Sequence, residues 1–399
     1  MNRKKEQKNR IYVGENLKVM SSKEFSNYYG KIDFIYIDPP YNTNNNFSYN
    51  DKNDKWSNDI ELRLNKAKEL LTDEGVIFIS IDDNELASLL NIGYKVFKKE
   101  NFVGLFITKQ SQRSNAKHIN VIHEYVIGFA KNKKKLPQFY IKRLEDPNEK
   151  YLIENIINRI SQLNVISKDL ANKELKSLIE QYTKSTGQTW IRNFNNISDD
   201  GKIFFAKDLS TPGKPSRLDI DEINLHLAPL KTRGWSSKEK IMQLHNDNRL
   251  VYKNGRPYAV EYLDEAVNNV TSILDFYSRH GTNDLKKLGL DGLFDTPKPV
   301  EMIKFLIRMS QHKDATILDF YAGSGTTGQA VYEINDEDNM NHHYILIQLD
   351  EPINKKTEAY EFLTKSGISN PTVSDAMIYR INTFLVSKGK SIDYETINI

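Results

Sequence analysis

The sequence predicts an α/β protein built on a largely parallel sheet, with a second module inserted into it. Three observations predict this. Over about the first 130 residues, short apolar runs of strand length alternate with amphipathic stretches; from about Leu136 to Leu290 that texture is lost; from Pro299 the alternation returns. Strands alternating with helices give βαβ units and parallel neighbours. The expected division is residues 1–135 and 290–399 as two halves of one domain, with 136–289 inserted between them.

Taken in order, Ile32-Asp33-Phe34-Ile35-Tyr36-Ile37 reads as a buried strand ending in Asp38-Pro39-Pro40-Tyr41. The polar tract Asn42 to Asn58 is too hydrophilic for an element of its own and reads as a loop. Leu62, Leu64, Ala67, Leu70 and Leu71 then recur at roughly helical spacing. Asp73-Glu74-Gly75 breaks that helix, and Val76 to Ile81 forms the next strand. Asp82-Asp83-Asn84 is expected to cap a helix running through Leu86, Leu89 and Leu90. In the middle region, Tyr151 to Tyr182 reads as a helical segment with interspersed charge. Turn-rich pieces follow, among them Ser210-Thr211-Pro212-Gly213-Lys214-Pro215 and Asn254-Gly255-Arg256-Pro257. Beyond Pro299 come a helix through Met302, Phe305, Leu306 and Met309, the strand Thr316-Ile317-Leu318 and a Gly-rich turn. A helix through Ala330 and Val331 and the strand Tyr344 to Leu349 complete the unit.

Composition excludes several kinds of chemistry. The 399 residues carry 39% apolar side chains, enough for at least one sizeable core. The 56 Lys and Arg exceed the 53 Asp and Glu by three, so any nucleic-acid surface must come from local clustering rather than net charge. Cysteine is absent, which removes disulfides, Cys-ligated zinc and a thiolate nucleophile. The basic, polar start MNRKKEQKNR offers no signal peptide, and runs such as Gly75 to Ile79 and Tyr344 to Ile347 are far too short to cross a bilayer. The expectation is a soluble cytoplasmic protein with no metal and no membrane partner.

Two motifs carry chemistry. The first is the turn Asp319-Phe320-Tyr321-Ala322-Gly323-Ser324-Gly325-Thr326-Thr327-Gly328, which follows a strand and opens a helix. Glycines there let a ligand approach the backbone, and the helix N–H groups can bind a negative group. A third glycine, Gly328, stands at dinucleotide spacing, so the turn alone leaves a dehydrogenase open. The second is Asp38-Pro39-Pro40-Tyr41 at the carboxyl end of a strand, where open α/β sheets place their ligands. Two prolines fix the backbone and remove two N–H donors, leaving carbonyls free to accept. A carboxylate plus a carbonyl beside an aromatic ring suits a flat base bearing an amino group, with Tyr41 stacked on it. Accepting both N–H protons localises the nitrogen lone pair, and the nitrogen can then attack an activated methyl in line, without a covalent enzyme intermediate. Methylation at cytosine C5 would need a Cys nucleophile, which this chain lacks.

The chain resembles the β-class amino-methyltransferases, and more closely the modification subunits of Type III restriction–modification systems. The residues that carry the resemblance are Tyr36 to Thr43, Asp73 to Glu85, His123-Glu124-Tyr125, Thr232-Arg233-Gly234-Trp235, Thr296-Pro297-Lys298-Pro299-Val300-Glu301 and the turn around Gly323. The resemblance implies a Rossmann-like S-adenosylmethionine-dependent fold with a mostly parallel seven-stranded sheet, a circularly permuted motif order and an inserted DNA-recognition module. It implies that Asp38, Pro39, Pro40 and Tyr41 form the target-base pocket. Tyr321, Gly323 and Gly325, with Phe320, Ser324 and Thr326, would line the cofactor; Lys298 and Pro299 would sit beside its methionine end, and Asp319 would close the strand. Many methyltransferases carry an acidic residue for the ribose hydroxyls where this chain has Gln348; Asp350 is the alternative. A homodimer and a restriction subunit as partner are implied by the resemblance only.

The expected activity is transfer of a methyl group from S-adenosylmethionine to N6 of a flipped-out adenine in double-stranded DNA. Methylation of cytosine N4, a stand-alone enzyme without a restriction partner, an RNA or protein-glutamine acceptor, and a non-catalytic recognition subunit stay open as alternatives. Lys109, Arg113, Lys117, Lys133, Lys134 and Lys135 fall in a stretch where Glu124 is the only acid, and read as a phosphate-tracking surface. Lys231, Arg233 and Trp235 are further candidates. His118 and His123 lack a carboxylate cluster at ligand spacing and read as ordinary polar residues.

Overall fold

The computed structural model describes residues 8–42, 55–110, 118–145 and 147–399. The chain divides into two compact units, one of Met1–Tyr140 with Val270–Ile399 and one of Ile141–Asn269.

The first unit is organised by a nine-stranded sheet. Its strands, in chain order, are β1 (Asn9–Val13), β2 (Ile32–Ile37), β3 (Leu71–Ile81), β4 (Phe102–Lys109), β5 (His123–Ala130), β6 (Ile273–Tyr277), β7 (Thr316–Asp319), β8 (His343–Gln348) and β9 (Tyr394–Asn398). Across the sheet they lie in the order β6-β4-β5-β3-β2-β7-β8-β1-β9. The sheet is mostly parallel, as expected, but has nine strands where the resemblance implied seven, with β6 and β9 at its two edges. Only β5 runs antiparallel among these strands, to β3 and β4. β4 and β5 are antiparallel neighbours, and the Gln110 N–H extends their pairing by donating to the Ile122 carbonyl.

The pairing of β2 with β7 matters most for function. Phe34 and Ile35 lie beside Ile317 and Leu318, and the Thr316 N–H donates to Asp33 Oδ2 at 2.9 Å. From this central pair the chain proceeds outward in opposite directions, to β3 on one side and to β8 on the other. Such a reversal opens a crevice at the carboxyl ends of the two strands. Asp38 and Asp319 stand at those ends.

The central strands β2 and β3 are buried on both faces, which explains the unbroken apolar runs that made them legible. The helix Trp56–Leu70 buries Trp56, Ile60, Leu64, Ala67 and Leu70, a stripe at intervals of three or four residues. Each large side chain so buried contributes about 2 kcal/mol. This helix begins inside the tract read as loop, because Trp56 turns inward and its Nε1 donates to the Pro40 carbonyl at 2.7 Å. β3 begins at Leu71, five residues before the expected Val76. Asp82 does not cap the next helix, Leu86–Phe97: its carboxylate accepts from the Asn84 backbone and side chain, closing a local turn.

The insertion ends earlier than the sequence suggested. Residues 270–289 belong to the first unit because β6 pairs with β4, Ile273 beside Ile107. The second unit has its own cores. The expected long helix is two, Pro147–Ile166 and Lys168–Thr186, separated at Ser167, whose hydroxyl accepts from the Leu170 N–H. They pack through Ile153, Ile156, Ile160, Leu175 and Ile179. A four-stranded antiparallel sheet, in the order Leu250–Lys253, Arg256–Tyr262, Ile203–Asp208, Asn196–Ile197, completes this unit.

Candidate active site

A cleft of about 310 Å³ opens at the carboxyl ends of β2 and β7. Asp38 and Pro40 line it from the end of β2, and Asp319, Phe320, Tyr321, Gly323, Ser324 and Thr326 from the end of β7; Lys298 and Gln348 are also among the residues of its wall. The two motifs, some 280 residues apart in the chain, therefore share one cavity, because their strands are neighbours in the sheet. Pro39, Tyr41, Pro299 and Gly325 are not part of the cleft wall. Pro299 precedes the helix Val300–Met309, and Gly325 starts the helix Thr326–Asp338.

The Gly-rich turn is held from several sides. Gly323 and Gly325 adopt φ of +52° and +75°, a region where a side chain is strained. Asp319 accepts from the Tyr321 N–H at 3.0 Å and from the Thr327 hydroxyl at 2.6 Å, tying the strand end to the helix start. Burial pushes the Asp319 carboxyl up to about 7, although these two donors oppose the shift. Beneath the turn lies Arg380, 1% exposed, which donates to the Ser324 carbonyl and hydroxyl, to Thr326 Oγ1 and to Gln329 Oε1, all within 3.0 Å. Its burial lowers its pKa to about 10, which leaves the guanidinium charged at neutral pH.

At the Asp38 end, four side chains converge. Tyr41 Oη donates to Asp38 Oδ1 at 2.8 Å and lies 3.3 Å from Glu124 Oε2. Lys298 Nζ donates to Tyr41 Oη at 2.6 Å and to Glu124 Oε2 at 2.7 Å, and stands 3.3 Å from Asp38 Oδ1. Gln110 donates to the other Glu124 oxygen. Burial holds the Asp38 carboxyl above its usual range; the Glu124 charge adds to that shift and the Lys298 charge opposes it. Burial alone would lower the Lys298 pKa, but the charges of Asp38 and Glu124 outweigh it and hold the ammonium protonated.

Several sequence expectations find a different setting. Lys298 lines the cleft, and its ammonium reaches Asp38 and Tyr41. The Gln348 side chain accepts from the Gly323 N–H at 2.7 Å, so its oxygen braces the turn. Asp350 accepts from Ser374 Oγ at 2.6 Å and does not line the cleft, whereas its neighbour Glu351 does. Lys109 lies at the Asp38 end of the sheet, paired with Asp275 of β6. Arg113 and Lys117 fall outside the described residues. Lys133, Lys134 and Lys135 follow the end of β5, where Ala130 pairs with Val76, so the antiparallel course of β5 carries them to the opposite end of the sheet. There Lys133 donates to the Phe102 carbonyl and Lys135 pairs with Asp73. His123 pairs with the Tyr125 hydroxyl.

Sequence reasoning missed Glu124, Arg380 and Thr327 as members of the site. Glu124 had a signal, as a lone acid amid cations. Arg380 had none, since only the packing of its helix, Val373–Ser387, brings it under the turn.

The family described as DNA methylase matches residues 32–359. The Mod subunit of the Type III restriction-modification enzyme EcoP15I from Escherichia coli is 28% identical over 410 residues, covering 90% of this chain and 61% of that protein. The EcoPI Mod subunit of Escherichia phage P1 is 31% identical over 408 residues, covering 89% and 60%. The Type II methyltransferase M.KpnI of Klebsiella pneumoniae is 28% identical over 397 residues, covering 93% and 86%. The chain thus spans about three fifths of the length of the two Mod subunits.

Proposed function

The chain belongs to the DNA methylase family, and from that premise we propose that it transfers a methyl group from S-adenosylmethionine to N6 of a flipped-out adenine in double-stranded DNA, within a restriction–modification system. The observation that carries this reading is the single cleft walled by Asp38 on one side and the Gly323 turn on the other. The curated relatives named above are Mod subunits and a methyltransferase, which supports the same reading.

The cleft suits the methyl donor. A Cβ on Gly323 would meet nothing closer than the Tyr321 carbonyl at 3.8 Å, so the turn leaves its open side to a ligand. The helix Thr326–Asp338 starts without a side-chain cap, leaving N–H groups for a ligand carboxylate or hydroxyl. Tyr321, Gly323, Ser324, Thr326 and Glu351 would hold the donor, which when bound supplies a methyl group activated by its sulfonium. Gln348 acts at one remove, by fixing the Gly323 N–H.

The acceptor chemistry falls to Asp38 and its neighbours. A base stacked inside a duplex cannot reach this crevice, so the target nucleotide is turned out of the helix. Asp38 would accept one N–H of the amino group and a backbone carbonyl of the Pro39-Pro40 pair the other; the Pro40 carbonyl already accepts from Trp56 Nε1. These two acceptors draw the nitrogen toward tetrahedral geometry and localise its lone pair. The Tyr41 ring is fixed through its hydroxyl, so it presents a set face to the base rather than a rotating one. As the nitrogen gains charge its proton becomes acidic, and Asp38 Oδ is placed to take it. The inserted unit, Ile141–Asn269, reads the base sequence. A homodimer, a restriction subunit as partner and a cytoplasmic setting belong to the same reading. No helix of the described residues is long and apolar enough to cross a membrane.

The test is direct. Purified protein is offered DNA, RNA and protein as acceptors with labelled S-adenosylmethionine, and labelled DNA is digested to nucleosides. N6-methyladenine is the expected product; N4-methylcytosine, or label in RNA or protein, refutes the assignment. Asp38→Ala should keep DNA binding while methyl transfer falls about 10³-fold, the scale of a lost positioning and proton-accepting group.

A further inference from the structure

The acceptor site holds two carboxylates against one ammonium, and their arrangement is unequal. Lys298 Nζ is 2.7 Å from Glu124 Oε2 and 3.3 Å from Asp38 Oδ1. Asp38 and Lys298 line the cleft; Glu124 stands behind them on β5, its side chain 15% exposed. Its carboxylate is not free to turn, since Gln110 donates to one oxygen while Lys298 takes the other. Were Glu124 absent, the ammonium would pair with Asp38 alone, and the acceptor site would be neutral.

We propose that Glu124 is a positioning residue that claims the charge of Lys298, so that the site presents one net negative charge, on Asp38, to a cationic ligand. This rests on the methyl-donor reading above and extends it. S-Adenosylmethionine carries a sulfonium, and the amino nitrogen of the base gains positive charge as it is methylated. A site with one uncompensated carboxylate favours both, whereas a neutral pair favours neither. Lys298 in turn anchors the Tyr41 hydroxyl, which is why the site holds a cation at all. The other acid near Asp38, Asp319, is tied to Thr327 and the Tyr321 N–H, and its contribution is common to every variant below.

The charge can be read without turnover by comparing S-adenosylmethionine with S-adenosylhomocysteine, which has a neutral thioether in place of the sulfonium. Calorimetry gives both dissociation constants for the wild-type chain, Glu124→Gln, Lys298→Met and the double variant. Glu124→Gln should weaken the cationic ligand relative to the neutral one about tenfold, the scale of one charge roughly 10 Å away at an effective dielectric of about 20. Lys298→Met should shift the ratio by a similar factor the other way, and the double variant should return it to the wild-type value. Retained binding of the neutral ligand shows that a variant is folded. Should Glu124→Gln not fold, Lys298→Met decides alone. Ratios within twofold of wild type in both single variants overturn the proposal. A wild-type chain that binds neither ligand overturns the methyl-donor reading, and this proposal with it.

Discussion

Replacing the two glycines of the cleft turn by alanine should separate binding from stability. Both have positive φ, so each substitution strains the backbone by about 1–2 kcal/mol. Their surroundings differ. At Gly325 a Cβ would lie 2.9 Å from Met377 Cγ and 3.0 Å from Ile381 Cδ1, side chains on a helix packed beneath the turn. Forcing that contact adds about 1–3 kcal/mol, so Gly325→Ala should cost about 2–5 kcal/mol in total. At Gly323 the Cβ meets open space, with the Tyr321 carbonyl at 3.8 Å, and that space is the cleft itself. Gly323→Ala should therefore cost only the strain, while S-adenosylmethionine affinity falls about tenfold or more because the methyl group occupies ligand volume. The chain has two compact units, so a single unfolding curve mixes two transitions. Hydrogen exchange of β2 and β7 amides under increasing urea reports the catalytic unit alone, and calorimetry reports the ligand. If Gly323→Ala is the more destabilising of the two, or binds the ligand like wild type, the assignment of the cleft to the donor is wrong.

Two further outcomes follow from the same geometry. Because Lys133, Lys134 and Lys135 lie at the far end of the sheet from Asp38, replacing all three by alanine should leave the salt dependence of DNA binding unchanged; a slope flattened by about 0.9 per lysine would mean that DNA reaches that end. His342, 4% exposed, has its pKa lowered to about 4 by burial. Between pH 4 and 6.5 the unfolded chain binds a proton there that the native chain does not, so stability rises with pH in that window and is lost on acidification. Relative to His342→Asn, the wild type should lose about 2.5 kcal/mol from pH 7 to 4.5, measured by urea unfolding. Asp319, pushed up to about 7, has the opposite slope, so the total curve is flatter than either group alone would make it.

The centre of the sheet was legible because its strands are buried on both faces and read as continuous apolar runs. Ile32 to Ile37 and Tyr344 to Ile347 could hardly be anything else. The edges were not: β6 and β9 include exposed residues such as Ile273, Glu395 and Thr396, and their composition does not separate them from loop. The two motifs declared the chemistry through residue types that it requires, Asp and Pro at one strand end and Gly at another. Direction was harder. Nothing in His123 to Ala130 says that this strand runs against its neighbours, and that reversal alone moved Lys133–Lys135 away from the cleft while bringing Glu124 up to it. Lys298 likewise carried the right motif, but a lysine stem reaches far enough that sequence cannot say which of two adjoining sites receives its ammonium.

The adjacency of β2 and β7 also has a consequence during synthesis. The strand bearing Asp38 leaves the ribosome early, but its partner follows only after the whole inserted unit has been made. Loop-closure entropy grows slowly with length, by about 0.6 kcal/mol per doubling, and an insert already folded shortens the span still to be searched. Nascent chains that stop before Thr316 lack half the crevice and one neighbour of the central strand. Such incomplete products lack one wall of the cleft, because the order of translation delivers Asp319 and the Gly323 turn only after the inserted unit.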